Sequence, residues 1–313
     1  MVPPLSIFRN RLRMRHVQLL QALAEKGSLR AASEMIGITQ PAATKALQEL
    51  EDMVGTPLFV RHPRGLEPTP YGAAFTRYAK TSLEDLRALR SDLAAMENGN
   101  VGRVRIGAIM AAAAGFLTPA IVSLSASHPR LQLSVQVDTS DILVRALNDG
   151  LLDLVIGRIP TDWESEHLSF QPLHNEHLML VARPNHPACA SPPAERRDLA
   201  DFPWILQASP SPMRQVIEKT FHEWGGVKPV AMIETSSILT TVSLLGETDM
   251  VAVVPDVVGR YFADIGALAP VPAPISGSLP NYGLILRSSR ESTPAMASVI
   301  EVILREARAA ASD

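Results

Sequence analysis

The stretch Ser28-Leu-Arg-Ala-Ala-Ser-Glu-Met-Ile-Gly-Ile-Thr-Gln-Pro-Ala-Ala-Thr-Lys-Ala-Leu47 reads as two short helices joined by a tight turn. Ser28 is placed to cap the first helix with its hydroxyl. Ala31, Ala32 and Ser33 are small, so a second helix can cross close against them. Gly37 falls where the first helix must end and the chain must turn, with Ile36 and Ile38 flanking it to bury into the crossing. Thr39 caps the second helix, and Pro41 sits in its first turn, where an amide donor is not missed. Gln40, Thr44 and Lys45 then share one side. Such a pair is a helix-turn-helix, whose second helix offers its N-terminal side chains to the DNA major groove.

Met14 to Lys26 reads as a preceding helix with Val17, Leu20 and Leu23 on one face, and Leu47, Leu50, Met53 and Val54 carry the second helix into a core. Two extended runs, Pro57-Leu-Phe-Val60 and Leu66-Glu-Pro-Thr69, flank Arg61-His-Pro-Arg-Gly65. That is the pattern of a hairpin wing, and its Arg61 and Arg64 suit phosphate contact. Residues 1–13, with Pro3-Pro4 and Arg9, Arg11 and Arg13, are expected to be a frayed arm.

Residues 14–70 resemble the winged helix-turn-helix of LysR-type transcriptional regulators. The resemblance is carried by Thr39-Gln-Pro-Ala42, Thr44-Lys45, the Leu47-Gln-Glu-Leu-Glu51 run, Gly55-Thr-Pro-Leu-Phe59, Arg61, and Thr69-Pro70 with Gly72. Many family members have Ser-Arg where this chain has Thr44-Lys45; lysine lacks the planar two-pronged donor of arginine. Ser28, Arg30, Thr39, Gln40, Pro41, Ala42, Thr44, Lys45, Arg61 and Arg64 are the expected DNA-binding residues.

Residues 71–98 hold no proline and many helix formers, and Leu86, Leu89, Leu93 and Met96 step by three and four as a seam. A helix of about 27 residues spans ~40 Å, more than the head can cover. A second copy is the simplest cover, so a dimer is expected, with a tetramer as the alternative; cover by the chain's own C-terminal domain is the competing reading. The resemblance implies the same linker helix.

From Arg103 the pattern changes. Strands are expected at Val104–Gly107, Leu131–Val137, Leu152–Gly157, His177–Ala182, Val230–Ile233, Met250–Val254 and Asn281–Leu286, with helices between them and a closing helix at Thr293–Ala310. Such alternation implies α/β units with largely parallel sheets. A late strand and helix imply that the chain crosses to a second lobe near Phe170–Glu176 and returns near Ala269–Ser278. The resemblance implies the same fold: two Rossmann-like lobes, similar to a periplasmic binding protein. The expected division is a head over 1–70, a linker helix over 71–98, and an effector domain over 99–313, with lobe I as 99–172 and 278–313 and lobe II as 173–277.

Ligands in open α/β lobes bind at the carboxyl ends of strands beside helix N-termini, whose free amides attract anions. Four junctions qualify, and the resemblance places effector contacts there too. Their candidate residues are Ala108, Met110 and Ala111; Thr139 and Ser140; Gln207, Ser209 and Ser211; and Ser236. Every serine and threonine among them has a helix-capping alternative. The apolar first junction points to an effector with an apolar or aromatic body and one anionic end, a small organic acid. No other cofactor is expected.

Net charge is −3, but residues 1–70 carry nine Lys/Arg against six Asp/Glu, whereas 71–313 carry twenty against twenty-six. A basic head on an acidic body fits a DNA-binding module joined to a sensing domain. The single cysteine, Cys189, excludes an intramolecular disulfide, and a loop or half-buried thiol is the plain reading of it. No catalytic or metal-binding residues are expected. Gly-x-Ser-x-Gly, the P-loop and Gly-x-Gly-x-x-Gly are absent, and the eight histidines do not cluster; His174 and His177 come closest. No apolar run approaches the ~20 residues of a membrane span, and no signal sequence precedes the first helix, so a cytoplasmic protein is expected. The expected function is promoter binding modulated by the effector, with double-stranded DNA and RNA polymerase as partners. The competing readings are a ligand-independent DNA-binding protein, and a solute-binding protein or enzyme in the C-terminal part.

Overall fold

The computed structural model describes residues 3–62, 65–97, 102–160, 167–190, 196–226, 228–273, 275, 279–288 and 293–311. The chain forms two compact units, one on Met1–Glu97 with Asn148–Leu151 and one on Asn98–Leu147 with Leu152–Asp313.

The first unit runs α1 (Leu5–Arg11), α2 (Met14–Lys26), α3 (Leu29–Met35), α4 (Gln40–Val54), β1 (Phe59–His62), β2 (Gly65–Pro68) and α5 (Pro70–Glu97). The caps form as the sequence implies. Ser28 Oγ accepts the Ala31 amide at 3.2 Å, and Thr39 Oγ1 accepts the Ala42 amide at 3.4 Å. Gly37 takes a φ of +71° between α3 and α4, the left-handed turn only glycine adopts freely. Leu19, Leu20, Leu23, Leu50 and Leu58 are fully buried at the centre.

The N-terminal residues are not a frayed arm. Leu5–Arg11 is a helix, and Ile7, Phe8 and Leu12 pack on the core of the head, with the Phe8 and Phe75 rings 6.0 Å apart. The proline pair and the arginines hid the helical spacing of Leu5, Phe8 and Leu12.

The wing is an antiparallel pair of β1 and β2. It is tied to the helices at two places: the Leu66 amide donates to the Gly27 carbonyl at 2.7 Å, and Glu51 Oε1 accepts the amides of Leu58 at 2.8 Å and Phe59 at 3.3 Å. Where α5 begins, Thr69 Oγ1 donates to the Pro57 carbonyl at 2.9 Å and accepts the Gly72 amide at 3.1 Å. The Leu58 carbonyl passes so close that a Cβ on Gly72 would lie 1.9 Å from its oxygen. Thr76, Ala79 and Leu83 are buried on the face of α5 nearest α2. Leu86, Leu89 and Leu93 stay exposed, at 46%, 53% and 53%; the Met96 side chain lies outside the described residues.

His16 is buried between α2 and α4. Its Nδ1 accepts the Arg13 amide at 3.3 Å, and its Nε2 lies 3.1 Å from Glu49 Oε2, to which Arg15 also donates at 2.7 Å. Burial pushes the imidazole below its ordinary value of 6.5, although the Glu49 hydrogen bond opposes this. Hydrogen bonds from Arg15 and His16 pull Glu49 below its ordinary 4.5. Both groups bind protons better in the unfolded chain. The stability they lend is therefore complete above about pH 6.5 and is lost on acidification, first through His16 and then through Glu49. The melting midpoint of the head is expected to fall from about pH 7 to about pH 5, and His16→Gln to flatten that fall; a midpoint constant over the range would contradict this.

The second unit holds two five-stranded sheets. Its elements are β3 (Gly102–Ala108), α6 (Met110–Ala112), a π-helical turn (Ala113–Leu117), α7 (Thr118–Ser127), β4 (Leu131–Val137), α8 (Ser140–Asn148), β5 (Leu154–Gly157), β6 (Leu168–His174), β7 (Leu178–Ala182), α9 (Pro187–Ala190), a 3-10 turn (Arg196–Asp201), β8 (Trp204–Leu206), α10 (Pro212–Glu223), β9 (Met232–Glu234), α11 (Ile238–Glu247), β10 (Val251–Pro255), α12 (Asp256–Asp264), β11 (Ala269–Pro270), β12 (Tyr282–Arg287) and α13 (Pro294–Ala310). The first sheet has the order β4-β3-β5-β12-β6, the second β11-β7-β10-β8-β9.

Each sheet is mixed rather than largely parallel. β3 runs parallel to β4 and β5, and β8 parallel to β9 and β10. The strands on either side of each crossing are antiparallel to their neighbours: β12 to β5 and β6, β7 to β10 and β11. The first crossing is also shorter than the sequence implied. His174 pairs with Tyr282 in the first sheet, so the boundary drawn at residue 172 falls inside β6 and the chain changes sheets over residues 175–177. Helices cover both faces of the second sheet. Val251 and Val253 of β10 point to the cluster with Ile217 and Phe221 of α10, while Ala252 and Val254 point to the cluster with Leu245 of α11 and Val258 of α12, as strand alternation requires.

One segment is more apolar than the sequence analysis allows. Met110–Ser127 is long and apolar enough by composition to cross a bilayer. Here Phe116, Leu117, Ala120 and Leu124 pack in the core of the first sheet, and a core helix has the same composition.

Candidate nucleic-acid interface and effector cleft

One face of α4 is apolar and spent on the core, and the other is bare. Ala43, Ala46, Leu47 and Leu50 are buried; Thr39, Gln40, Pro41, Ala42, Thr44, Lys45 and Gln48 are exposed. The Thr44 hydroxyl donates to the Gln40 carbonyl at 3.0 Å, which leaves its oxygen lone pairs and methyl facing outward. Arg30 is exposed on α3 and pairs with Glu34 at 3.2 Å. Ser28 is half-buried and serves as a cap. Arg61 is exposed on β1, and Arg64 lies outside the described residues. Gln48 escaped the sequence reading although it follows Thr44 by one helical turn on the same face.

In the second unit a cleft bounds about 440 Å³ of empty space, open solvent at its mouth included. Met110, Thr139, Ser140, Gln207 and Ser236 line it. The other four candidates do not. Ala108 is buried as the last residue of β3, and Ala111 is buried because the chain after the strand is helical and turns that alanine into the core. Ser211 is buried as the cap of α10, accepting the Arg214 amide at 3.2 Å. Ser209 is exposed and absent from the lining.

Two charged residues in the lining were not anticipated. Arg158 follows β5, and Glu176 lies in the first crossing; their side chains are 6% and 3% exposed and joined by an ion pair. Arg158 also donates through its amide to Ser140 Oγ at 3.1 Å and through Nε to the Pro280 carbonyl at 2.7 Å, and its guanidinium lies 5.5 Å from the centre of the Tyr282 ring. Burial pushes the Glu176 carboxyl up, and Arg158 pulls it back. The signal for Arg158 was present: it stands at the carboxyl end of a buried strand, where the rule already applied to β3 and β4 would have found it. Asp138 adds a second carboxylate. Gln207 is held by its own carbonyl, which accepts from Arg214 Nη1 at 3.2 Å.

Cys189 is half-buried in α9; its thiol lies 3.7 Å from the Pro270 carbonyl, and burial pushes its pKa up.

Two family descriptions match the chain: "Bacterial regulatory helix-turn-helix protein, lysR family" over residues 14–73, and "LysR substrate binding domain" over residues 97–308. Among relatives, the HTH-type transcriptional regulator GbpR of Azospirillum brasilense is 35% identical over 285 residues, 91% of this chain and 83% of that protein. Two solved structures share the fold. Full-length CbnR complexed with its target DNA superposes with a TM-score of 0.58 at 22% identity, covering 94% of this chain and 100% of that one. ArgP from Mycobacterium tuberculosis gives 0.62 at 19% identity, covering 93% and 96%. The two-lobed cleft domain and the helical head thus each match a domain of one family, and the chain belongs to the LysR family as a LysR-type transcriptional regulator with a DNA-binding head and an effector-binding domain.

Proposed function

We propose that Gln40, Thr44 and Lys45 read base edges in the major groove, that Thr39, Pro41 and Ala42 bring the start of α4 against the DNA, and that Arg30, Arg61 and Arg64 meet phosphates, with Ser28 holding α3 in place. The observation that carries this is the exposed polar face of α4 beside its buried apolar face. We divide the chain into a head over 1–70, a linker helix over 71–98 and an effector domain from residue 99, and place the protein in the cytoplasm.

The exposed leucines of α5 support self-association through that helix. Further apolar side chains are exposed on the edge strands β4 and β9 and the helices beside them: Val122, Val135, Val137, Met232 and Leu239. Two separate apolar surfaces are what a tetramer needs. The effector is a small organic acid seated in the cleft. Its anionic end takes hydroxyls from Thr139, Ser140 and Ser236, and its apolar body lies on Met110 and Met213. Binding shifts the angle between the lobes, which repositions the heads, changes DNA bending and alters recruitment of RNA polymerase. A second reading rests on Asp138 and Glu176: two carboxylates in one lining favour a neutral, hydroxyl-rich ligand.

Titration calorimetry of the full chain with small organic acids and with neutral polyols separates the two. Acids are expected to bind, and Thr139→Val to weaken them about tenfold, the worth of one hydrogen bond, with DNA affinity unchanged. Binding of polyols alone would overturn the organic-acid assignment.

A further inference from the structure

A second cavity of the effector domain adjoins the cleft and shares Arg158 and Pro212 with it. It bounds about 890 Å³ of empty space, open solvent at its mouth included. Its two sides belong to different lobes. Asp141 and Arg145 come from α8, whose Leu143, Val144 and Leu147 pack in the core of the first sheet. Gln215 and Lys219 come from α10, whose Met213, Ile217 and Phe221 pack in the core of the second. The members of each pair are four residues apart, so they stand one above the other on one face of their helix.

The polar groups of this wall are not spent on the fold. Arg145 and Lys219 are exposed. Lys219 reaches Glu223, one turn further along α10, at 3.9 Å, a long contact between exposed groups that holds the ammonium weakly. Asp141 Oδ1 is buried and accepts no hydrogen bond among the described residues. A buried carboxylate oxygen without a donor is costly, and a ligand that donates to it relieves that cost. Gln215 donates its side-chain amide to the Pro210 carbonyl at 3.2 Å, which leaves its own oxygen as a further acceptor. Pro160, Pro210, Pro212 and Pro280 supply apolar surface, and proline rings lose little freedom when they are covered.

The charges specify what fits. Arg158 is matched by Glu176, which leaves Arg145 and Lys219 against Asp141, a net single positive charge. A ligand with one negative charge balances it, whereas a dianion overshoots and a zwitterion leaves a cation uncompensated. Two cations on facing helices suit one carboxylate, and Asp141 suits a hydroxyl.

We propose that this cavity is a second ligand site, separate from the cleft, for a hydroxy acid with a single carboxylate. The carboxylate lies between Arg145 and Lys219, the hydroxyl donates to Asp141 Oδ1, and the carbon skeleton rests on the prolines. A ligand held in this way ties α8 to α10, and so one lobe to the other, and it lies against the same Arg158 that walls the cleft. Occupancy therefore acts on the lobe angle as a second input beside the effector. The site does not depend on which ligand the cleft takes.

Titration calorimetry of the full chain tests it, with lactate and 4-hydroxybenzoate as probes and with propionate and benzoate as the same acids lacking the hydroxyl. A hydroxy acid is expected to bind about tenfold more tightly than its counterpart, the worth of one hydrogen bond. Arg145→Ala and Lys219→Ala, both at exposed side chains, are each expected to weaken that binding on the order of tenfold, and Asp141→Ala to remove the preference for the hydroxyl. Weakening by Thr139→Val, with none by Arg145→Ala or Lys219→Ala, would put the acid in the cleft and overturn the second site while leaving the cleft assignment standing. Weakening by one of the two cation variants alone would overturn the bridge between the lobes. Binding of neither hydroxy acid, or no preference over the acids without the hydroxyl, would overturn the ligand class.

Discussion

Gly72→Ala is expected to lower the melting midpoint of the N-terminal unit by roughly 15 °C, the shift that a cost of about 3 kcal/mol produces in a domain of this size. The added Cβ would lie 1.9 Å from the Leu58 oxygen, 2.9 Å from its carbonyl carbon and 3.3 Å from Pro68 Cβ. Two of those atoms are backbone, so no side chain can swing aside. The Leu58 carbonyl is itself fixed, accepting the Thr69 amide at 2.9 Å while the Leu58 amide donates to Glu51. To relieve the overlap, α5 must move off the wing, and the bonds that Thr69 Oγ1 donates to the Pro57 and Leu58 carbonyls and accepts from the Gly72 amide go with it. DNA affinity should fall in parallel, because the wing loses its anchor. A midpoint within a few degrees of wild type would mean that the approach of α5 to Leu58 is not tight.

Glu176→Ala should destabilise the effector domain by about 3 kcal/mol, or roughly 10 °C for a unit of this size. The Arg158 side chain is 6% exposed, so removing the carboxylate strands a charge that water cannot reach. The Pro280 carbonyl and the Tyr282 ring remain beside it, but neither carries a full negative charge. Glu176→Gln should cost less, since its amide oxygen still accepts a hydrogen bond. Replacing both members, Arg158→Met with Glu176→Leu, should recover most of the loss, because the desolvation of two ions is then avoided. Differential scanning calorimetry of the four proteins decides it; equal midpoints would show that the pair is solvated in solution. The pair also joins both crossings to the first lobe, Glu176 from one side and Pro280 from the other, so these variants should change the response to effector as well as the melting point.

The head was legible because its signals are local. Caps at Ser28 and Thr39, the turn at Gly37 and the apolar stripe of α4 each act within one or two helical turns, and short range is what a sequence displays. The expectation for α1 failed for the opposite reason: arginines and prolines read as solvated, while the burial of Phe8 comes from Phe75, far along the chain. In the effector domain seven strands followed from periodicity, but β6, β8 and β11 did not, and neither did strand direction. Whether β12 runs with or against β5 depends on where the chain re-enters the sheet, and no local residue encodes that. The cleft divided along the same line. Thr139, Ser140, Gln207 and Ser236 sit at strand ends and helix starts that the sequence marks, whereas the Arg158–Glu176 pair is created by two segments meeting in space. Ala108 was misplaced because the strand runs on to it and buries it, and Ala111 because a run of alanines is equally at home in a loop and in the helix it forms here.

The central claim is that the exposed face of α4 reads DNA. Anisotropy titration of the full chain against its operator and against unrelated duplex, at one fixed salt concentration, tests this most directly. Wild type should prefer the operator by about 1,000-fold or more. Lys45→Ala should cut operator affinity by on the order of 10- to 100-fold while unrelated duplex weakens far less, as expected for a lost base contact. Unchanged operator affinity in Lys45→Ala, with Gln40→Ala and Thr44→Val also at wild-type level, would contradict the assignment of α4 as the reading helix.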